Sequence, residues 1–121
     1  MREICIDMLY SEVRKEVPIS REAYNESLME WEVTPIIKLG EIIGVVIFKD
    51  KEIHMHVKKI KAIKHARWII RGQLEVRLQE FGFLLTRSHD GSDLFLQRLG
   101  FYKTGFDGKL NVYRLDQLRI S

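Results

Sequence analysis

The run Ser92-Asp-Leu-Phe-Leu-Gln-Arg-Leu-Gly-Phe101, followed by Tyr-Lys-Thr-Gly and then Leu110-Asn-Val-Tyr-Arg-Leu115, constrains the fold of this chain more than any other segment. Phe95, Leu96, Leu99 and Phe101 have the spacing of a short helix pressed onto a core. Gly100 supplies the left-handed position that ends such a helix without the penalty of a β-carbon. Tyr102 and Val112–Leu115 then supply strand-forming residues on either side of Gly105 and Asp107-Gly108, which predicts a strand, a turn and a second strand.

Tyr10–Val17 reads as a helix stopped before Pro18. Residues 3–9 are ambiguous, because Ile4, Ile6 and Met8 alternate like a strand while Cys5, Leu9 and Val13 fit a helix. Ser20 is a good N-cap for the next helix, which carries Tyr24, Leu28 and Trp31 on one face. Val33–Leu39 predicts a strand, and Pro35, which lacks a ladder donor, points to an edge or an irregular start. Gly40-Glu41 makes a tight turn. Ile42–Phe48 is nearly all apolar, as for a central strand covered on both faces. Asp50-Lys51 turns the chain again. Glu52–Lys58 alternates, with Ile53, Met55 and Val57 on one face and Glu52, His54, His56 and Lys58 on the other.

Ile63–Phe81 is the longest predicted helix. Ile63, Ala66, Ile70, Leu74, Leu78 and Phe81 form its buried stripe, and Gly82 ends it. Phe83–Arg87 is the next strand. It must run parallel to Glu52–Lys58 if the helix crosses over between them. The fold class is therefore α/β in the α+β sense: a mixed, mostly antiparallel central sheet of about six strands flanked by helices. The 121 residues are read as one domain spanning 1–121.

Composition narrows the function classes. Hydrophobic residues make up 45% and charged residues 31%, an ordinary soluble globular balance. No apolar run approaches the roughly 20 residues of a membrane span. The N-terminus lacks a signal-peptide core. A single cysteine, Cys5, rules out an internal disulfide framework and suits a reducing compartment, so the expected location is cytoplasmic. Charge is segregated: residues 1–32 carry a net of −4 and residues 33–121 a net of +7, giving +3 for the chain. Lys58, Lys59, Lys61, Lys64, Arg67 and Arg71 run without a carboxylate until Glu75. Such a run either stays solvated or meets an anion: a phosphorylated cofactor, a nucleic acid or an acidic protein.

The closing unit resembles the end of the GNAT-superfamily N-acetyltransferases, in which a helix ends in Leu-Gly-Phe before the last two strands. The order of elements matches that fold over about residues 10–115, with its first strand either the brief Glu3–Asp7 stretch or absent. The resemblance implies direct transfer of an acetyl group from acetyl-CoA to an amine. It implies three physical features. Main-chain amides at the start of the long helix cradle the pyrophosphate. Two central strands splay, often beside a bulge, so that the acyl group bonds to exposed backbone. A base or an ordered water takes the ammonium proton.

The family's phosphate loop has Arg or Gln, two residues, Gly, one residue, then Gly or Ala. The matching stretch is Lys61-Ala-Ile-Lys64-His-Ala66, with Lys64 in the place of the glycine. By this resemblance Val57, Lys59, Lys61, Lys64, His65, Ala66 and Arg67 fall to cofactor binding. His89 joins them, where the family commonly has Asn before the closing helix. The catalytic candidates are Glu52, His54 and His56, a carboxylate and two imidazoles able to act as general base near neutral pH. His54 and His56 also have a chelating i, i+2 spacing, but no third ligand lies near in sequence, and no metal is assigned. The family often carries Tyr four residues before the Gly of Leu-Gly-Phe, to protonate the leaving thiolate. That position is Leu96. Tyr102 is read as a packed strand residue, Trp68 as packed under another element such as the closing helix, and Cys5 as a buried small hydrophobe.

Two function classes follow from the resemblance. One is an acetyltransferase acting on the amine of a small molecule or of a protein lysine or N-terminus. The other is a catalytically inactive GNAT-fold interaction or virion-associated protein of the kind encoded by bacteriophages. A nucleic-acid partner is disfavoured, because only Trp68 accompanies the basic run as a stacking residue and Glu75 and Glu80 interrupt it. No membrane association is expected. The chain is expected to be a monomer or a homodimer, with an unpaired strand near Val33 or Leu110 available for pairing.

Overall fold

The computed structural model describes residues 1–58, 63–88 and 93–119, with backbone alone for 63–66. The chain begins with α1 (Arg2–Val13) and α2 (Arg21–Ser27). Then come β1 (Glu32–Lys38), β2 (Glu41–Lys49) and β3 (Glu52–Val57). The long α3 (Ile63–Phe81) leads to β4 (Leu84–Ser88), and α4 (Asp93–Leu99) to β5 (Tyr102–Phe106) and β6 (Asn111–Leu115). The strands form one sheet in the order β1-β2-β3-β4-β6-β5. Every neighbouring pair is antiparallel except β3 and β4, which are parallel across the α3 crossover. This is the expected mixed α+β sheet, with β1 at an edge where Pro35 costs no inner ladder bond.

The ambiguous segment 3–9 is helical and adds no strand to the sheet, and the predicted helix start at Tyr10 is eight residues late. Cys5, Ile6 and Leu9 decide the matter. They pack with Tyr24, Leu28, Val45 and Ile47 on one face of β1 and β2. Burying three apolar side chains outweighs a strand reading that would have left that half of the sheet bare. Two arginines fasten the helices together. Arg21 reaches Asp7 at 2.8 Å and Glu3 at 2.9 Å. Arg2 donates to the Leu28 carbonyl at 2.6 Å and the Trp31 carbonyl at 2.9 Å. Ser20 caps α2 by accepting from the Ala23 amide at 3.1 Å.

The opposite face carries the larger core. Val46, Phe48 and Ile53 of the first strands meet Ile70 and Leu74 of α3, Leu96 and Leu99 of α4, and Leu84, Tyr113 and Leu115. Fully burying a side chain such as Ile70 or Leu74 contributes about 1.5–3 kcal/mol. The α3 boundaries coincide with the expected ones, and Gly82 stops the helix at φ +83°. Gly100, at φ +116°, ends α4, and a β-carbon there would stand 2.6 Å from the Gln117 carbonyl oxygen. The C-terminal segment can therefore close over α4, where the Arg119 amide donates to the Leu99 carbonyl at 2.9 Å. The Tyr113 hydroxyl donates to Asp93 at 2.9 Å and fixes the start of α4 over β6.

Three expectations are corrected. The tight β1–β2 turn is centred on Leu39 and Gly40, both at positive φ, one residue before the expected Gly40-Glu41. Trp68 is 75% exposed, because α4 packs against the stripe of α3 that holds Ile70 and Leu74 and leaves the Trp68 side uncovered. Tyr102 is 46% exposed on edge strand β5, with its hydroxyl bonded to Asp116 rather than packed into the core.

Candidate active site where strands β3 and β4 part

β3 and β4 share a single register pair, Glu52 with Leu85, sealed by the Leu85 amide donating to the Lys51 carbonyl at 2.7 Å. Beyond it the ladder ends among the described residues, although β3 continues to Val57 and β4 to Ser88. β3 stays bonded to β2 along its whole length, to the Lys58 amide donating to the Ile43 carbonyl at 2.7 Å. Main-chain groups alternate sides along a strand. Those of His54 and His56 are thus used by β2, and those of Met55 and Val57 line the gap on the β4 side.

A bulge accompanies this opening. In the β1–β2 ladder Ile36 faces Gly44 and Ile37 faces Ile42, so Ile43 is the extra residue of β2. Ile43, Ile36, Val57 and Ile69 form a small apolar cluster that pins the outer end of β3 against α3. A bulge bends its strand and raises the local twist. It lies beside Val57 and Lys58, at the far end of the gap that opens after Glu52.

The alternation read from the sequence holds. Ile53 is fully buried and Met55 packs on the core under α3 and α4. Glu52, His54 and His56 project together from the other face, all half-buried. Among the described residues α1 packs chiefly over β1 and β2, toward the other end of this face. His54 Nε2 lies 3.5 Å from Glu52 Oε2, and its ring lies 5.4 Å from the Trp31 ring, centroid to centroid. Arg2 holds the Trp31 carbonyl, so the first turn of α1 sets one wall of the site.

Burial pushes the His54 imidazole below its ordinary value of 6.5, against the opposing pull of the Glu52 carboxylate, and the nearby Arg87 guanidinium acts in the same direction as burial. His54 is therefore neutral near pH 7, with a lone pair available for a proton. Among the described residues no group of three or more His, Cys, Asp or Glu could hold a metal ion.

The remaining expected site residues divide. Val57 turns its side chain into the small apolar cluster and offers its main chain to the gap. Arg67 is half-buried in the second turn of α3, and Lys64, His65 and Ala66 lie in the first turns, where only the backbone is described. Lys59, Lys61 and His89 lie outside the described residues. Leu96, at the position of the family's tyrosine, is 3% exposed in the core. Two residues escaped the sequence reading. Trp31 was assigned only to the helix face of Tyr24 and Leu28. Arg87 emerges once the parallel register is known: two residues past Leu85, it falls on the face of His54, and its charge acts on that imidazole.

A single parallel pair that opens after Glu52–Leu85, followed by a crossover helix in an otherwise antiparallel sheet, defines a mixed α+β fold. The molecule has the fold of the GNAT N-acetyltransferases. The PaiA N-acetyltransferase of Thermoplasma acidophilum, solved with coenzyme A, is similar at 13% identity and a TM-score of 0.65, over 92% of this chain and 79% of that one. An aminoglycoside acetyltransferase solved with coenzyme A and kanamycin is similar at 14% identity and a TM-score of 0.68, over 98% and 92%. The Campylobacter jejuni N-acetyltransferase PseH, solved with acetyl coenzyme A, is similar at 19% identity and a TM-score of 0.62, over 93% and 89%. No protein-family model and no curated protein matches the sequence.

Proposed function

We propose that this chain is an acetyl-CoA-dependent N-acetyltransferase that acts on the amine of a small molecule or protein. The observation that carries the reading is the parting of β3 and β4 after Glu52–Leu85, which leaves the Met55 and Val57 main chain facing an open gap. The residues suit the co-substrate there. An extended thioester arm meets a strand edge with donors and acceptors, and a helix of 19 residues starts beyond the same end of β3. Lys59, Lys61, Lys64, His65, Ala66, Arg67 and His89 are assigned to its phosphates and arm. Solved neighbours with this fold hold coenzyme A or acetyl coenzyme A.

Acetyl-CoA supplies the thioester carbonyl carbon: the amine nitrogen bonds to it as the C–S bond breaks, and the sulfur leaves as coenzyme A thiol. The chain's own residues manage the proton. Neutral His54, directly or through water, takes a proton from the bound ammonium, and Glu52 stabilises the imidazolium that results. His56 flanks the open end of β3 and orients the incoming amine. With Leu96 in place of the family's tyrosine, the second proton that the nitrogen sheds as the amide forms passes to water, and the thiolate takes its proton from solvent. A free thiol has a pKa of about 8.5, so this leaving group tolerates the absence of a fixed acid.

Leu96 also supports a second reading, a GNAT-fold interaction protein without catalysis. Thermal unfolding with acetyl-CoA separates the two. A ligand at about 100 times its dissociation constant adds roughly 2.7 kcal/mol, an upward shift of several degrees. No shift at millimolar ligand overturns the transferase reading. A shift without thiol release across a broad amine panel favours the interaction protein.

A further inference from the structure

Among the described residues, the cation whose charge acts on the candidate base is Arg87. Glu52 faces Leu85 in a parallel pair, so two residues further His54 and Arg87 face each other across the widening gap, with side chains on the same side. Arg87 Nε lies 3.5 Å from Asp107 Oδ2, and the Arg87 side chain is half exposed. Among the described residues this is its one ion pair, and its two terminal nitrogens carry no partner.

Neighbouring cations on this face differ. Arg114 bonds Asp116 at 2.8 Å and stacks 4.1 Å from the Phe83 ring centroid, and Lys51 lies over the other reach of that ring. Asp107 is itself held by the Lys109 and Leu110 amides at 2.9 and 2.8 Å. It is a fixed post that aims Arg87 from the Nε side and leaves the fork free for a planar anion. Across the cleft the order of charge is therefore carboxylate (Glu52), neutral base (His54), guanidinium (Arg87). That order complements an ammonium beside Glu52 and His54, with an anion a few bonds away. Neighbouring strands stand about 4.8 Å apart, and the charge of Arg87 is felt at His54, so both groups fall within the reach of one small zwitterion.

We infer that the acceptor is an amino-carboxylate, whose carboxylate is received by the terminal nitrogens of Arg87 while its amine meets His54. The inference rests on the transferase reading and names the substrate class of that site. It sets this chain apart from a polyamine or aminoglycoside acceptor site, where a cation opposite the base would repel the substrate.

Two measurements test it. The first needs no co-substrate. The His54 ring signals are followed by NMR while amino acids are titrated in, each as free carboxylate and as carboxamide, with spermidine as a cationic probe. The carboxylates should move His54 and bind about 10- to 100-fold more tightly than their carboxamides, the worth of one charge-assisted hydrogen bond. Arg87→Gln should erase that ratio, Arg87→Lys should keep part of it, and the melting curve of each variant should match the parent's. The second is acetyl transfer with the same panel, where Arg87→Gln should raise KM for carboxylates and leave kcat within about two-fold. Carboxamides or spermidine binding as well as the carboxylates, or no carboxylate binding at all, overturns the inference. Acetyl-CoA failing to shift the melting point overturns the transferase reading instead, and the titration still decides the carboxylate site.

Discussion

Gly44 and His56 touch across the β2–β3 ladder: a β-carbon on Gly44 would stand 2.5 Å from the His56 carbonyl oxygen and 3.2 Å from the Val57 Cα. Gly44 follows the bulged Ile43 and faces Val57, so the backbone of β2 presses against β3 at the outer end of the gap. Gly44→Ala should cost about 1–3 kcal/mol, the usual penalty for overpacking, because the obstruction is main chain and cannot swing away. Urea denaturation measures the loss. If the close approach also sets the gap, acetyl-CoA should protect this variant against heat less than it protects the parent. A variant as stable as the parent would mean that the two strands separate freely there.

The buried imidazole predicts an acid-side weakness. His54 is held below 6.5 by burial, so the unfolded chain binds a proton before the folded one does. Stability is full above about pH 6.5, declines as pH falls from there to the folded value, and is then level. His54→Gln should remove this part of the pH dependence. In the parent, kcat/KM should lose activity only below pH 6.5, since the base stays neutral down to its depressed value. An acid limb centred above 6.5 would assign the base to another group.

Glu52 opposes that depression, for its carboxylate favours the imidazolium at 3.5 Å. Glu52→Gln should therefore move the His54 titration, followed by NMR, to still lower pH. The acid limb of the rate profile should move with it. A rate loss at all pH values with an unmoved His54 titration would instead make Glu52 a direct contact of the amine.

How far the sequence spoke depended on whether a feature is local. The bounds of α3 follow from one stripe, Ile70, Leu74 and Leu78, and one stop, Gly82, which no distant contact contradicts. The grouping of Glu52, His54 and His56 follows from the two-residue period of a strand. The helix at Arg2–Val13 was not legible, because Cys5, Ile6 and Leu9 serve either period until the bare face of β1 and β2 selects one. The exposure of Trp68 and Tyr102 is hidden from the sequence for the same kind of reason: which face of α3 meets α4, and which strand ends the sheet, are decided by partners far along the chain. The parting of β3 and β4 is an absence of bonds, and Arg87 joins His54 only through their register. Neither has a signature in residue type.

Arg77 ties α3 to the front of the sheet. Its guanidinium lies 4.2 Å from the Phe48 ring centroid, donates to the Asp50 carbonyl at 3.2 Å and bonds the Glu32 carboxylate, with 17% of the side chain exposed. Asp50 is the positive-φ residue of the β2–β3 turn, so one side chain steadies a strained turn and the β1 edge together. Arg77→Ala should cost about 1–3 kcal/mol, from a charge-assisted hydrogen bond and a partly desolvated cation–π contact. Arg77→Lys should recover less than half, because an ammonium cannot stack flat on Phe48 and fork to both oxygens. Glu32→Gln should cost far less than either, since that carboxylate is 64% exposed and screened by water. Chemical denaturation of the three variants gives the order directly, and a lysine variant as stable as the parent would reduce the contact to simple charge.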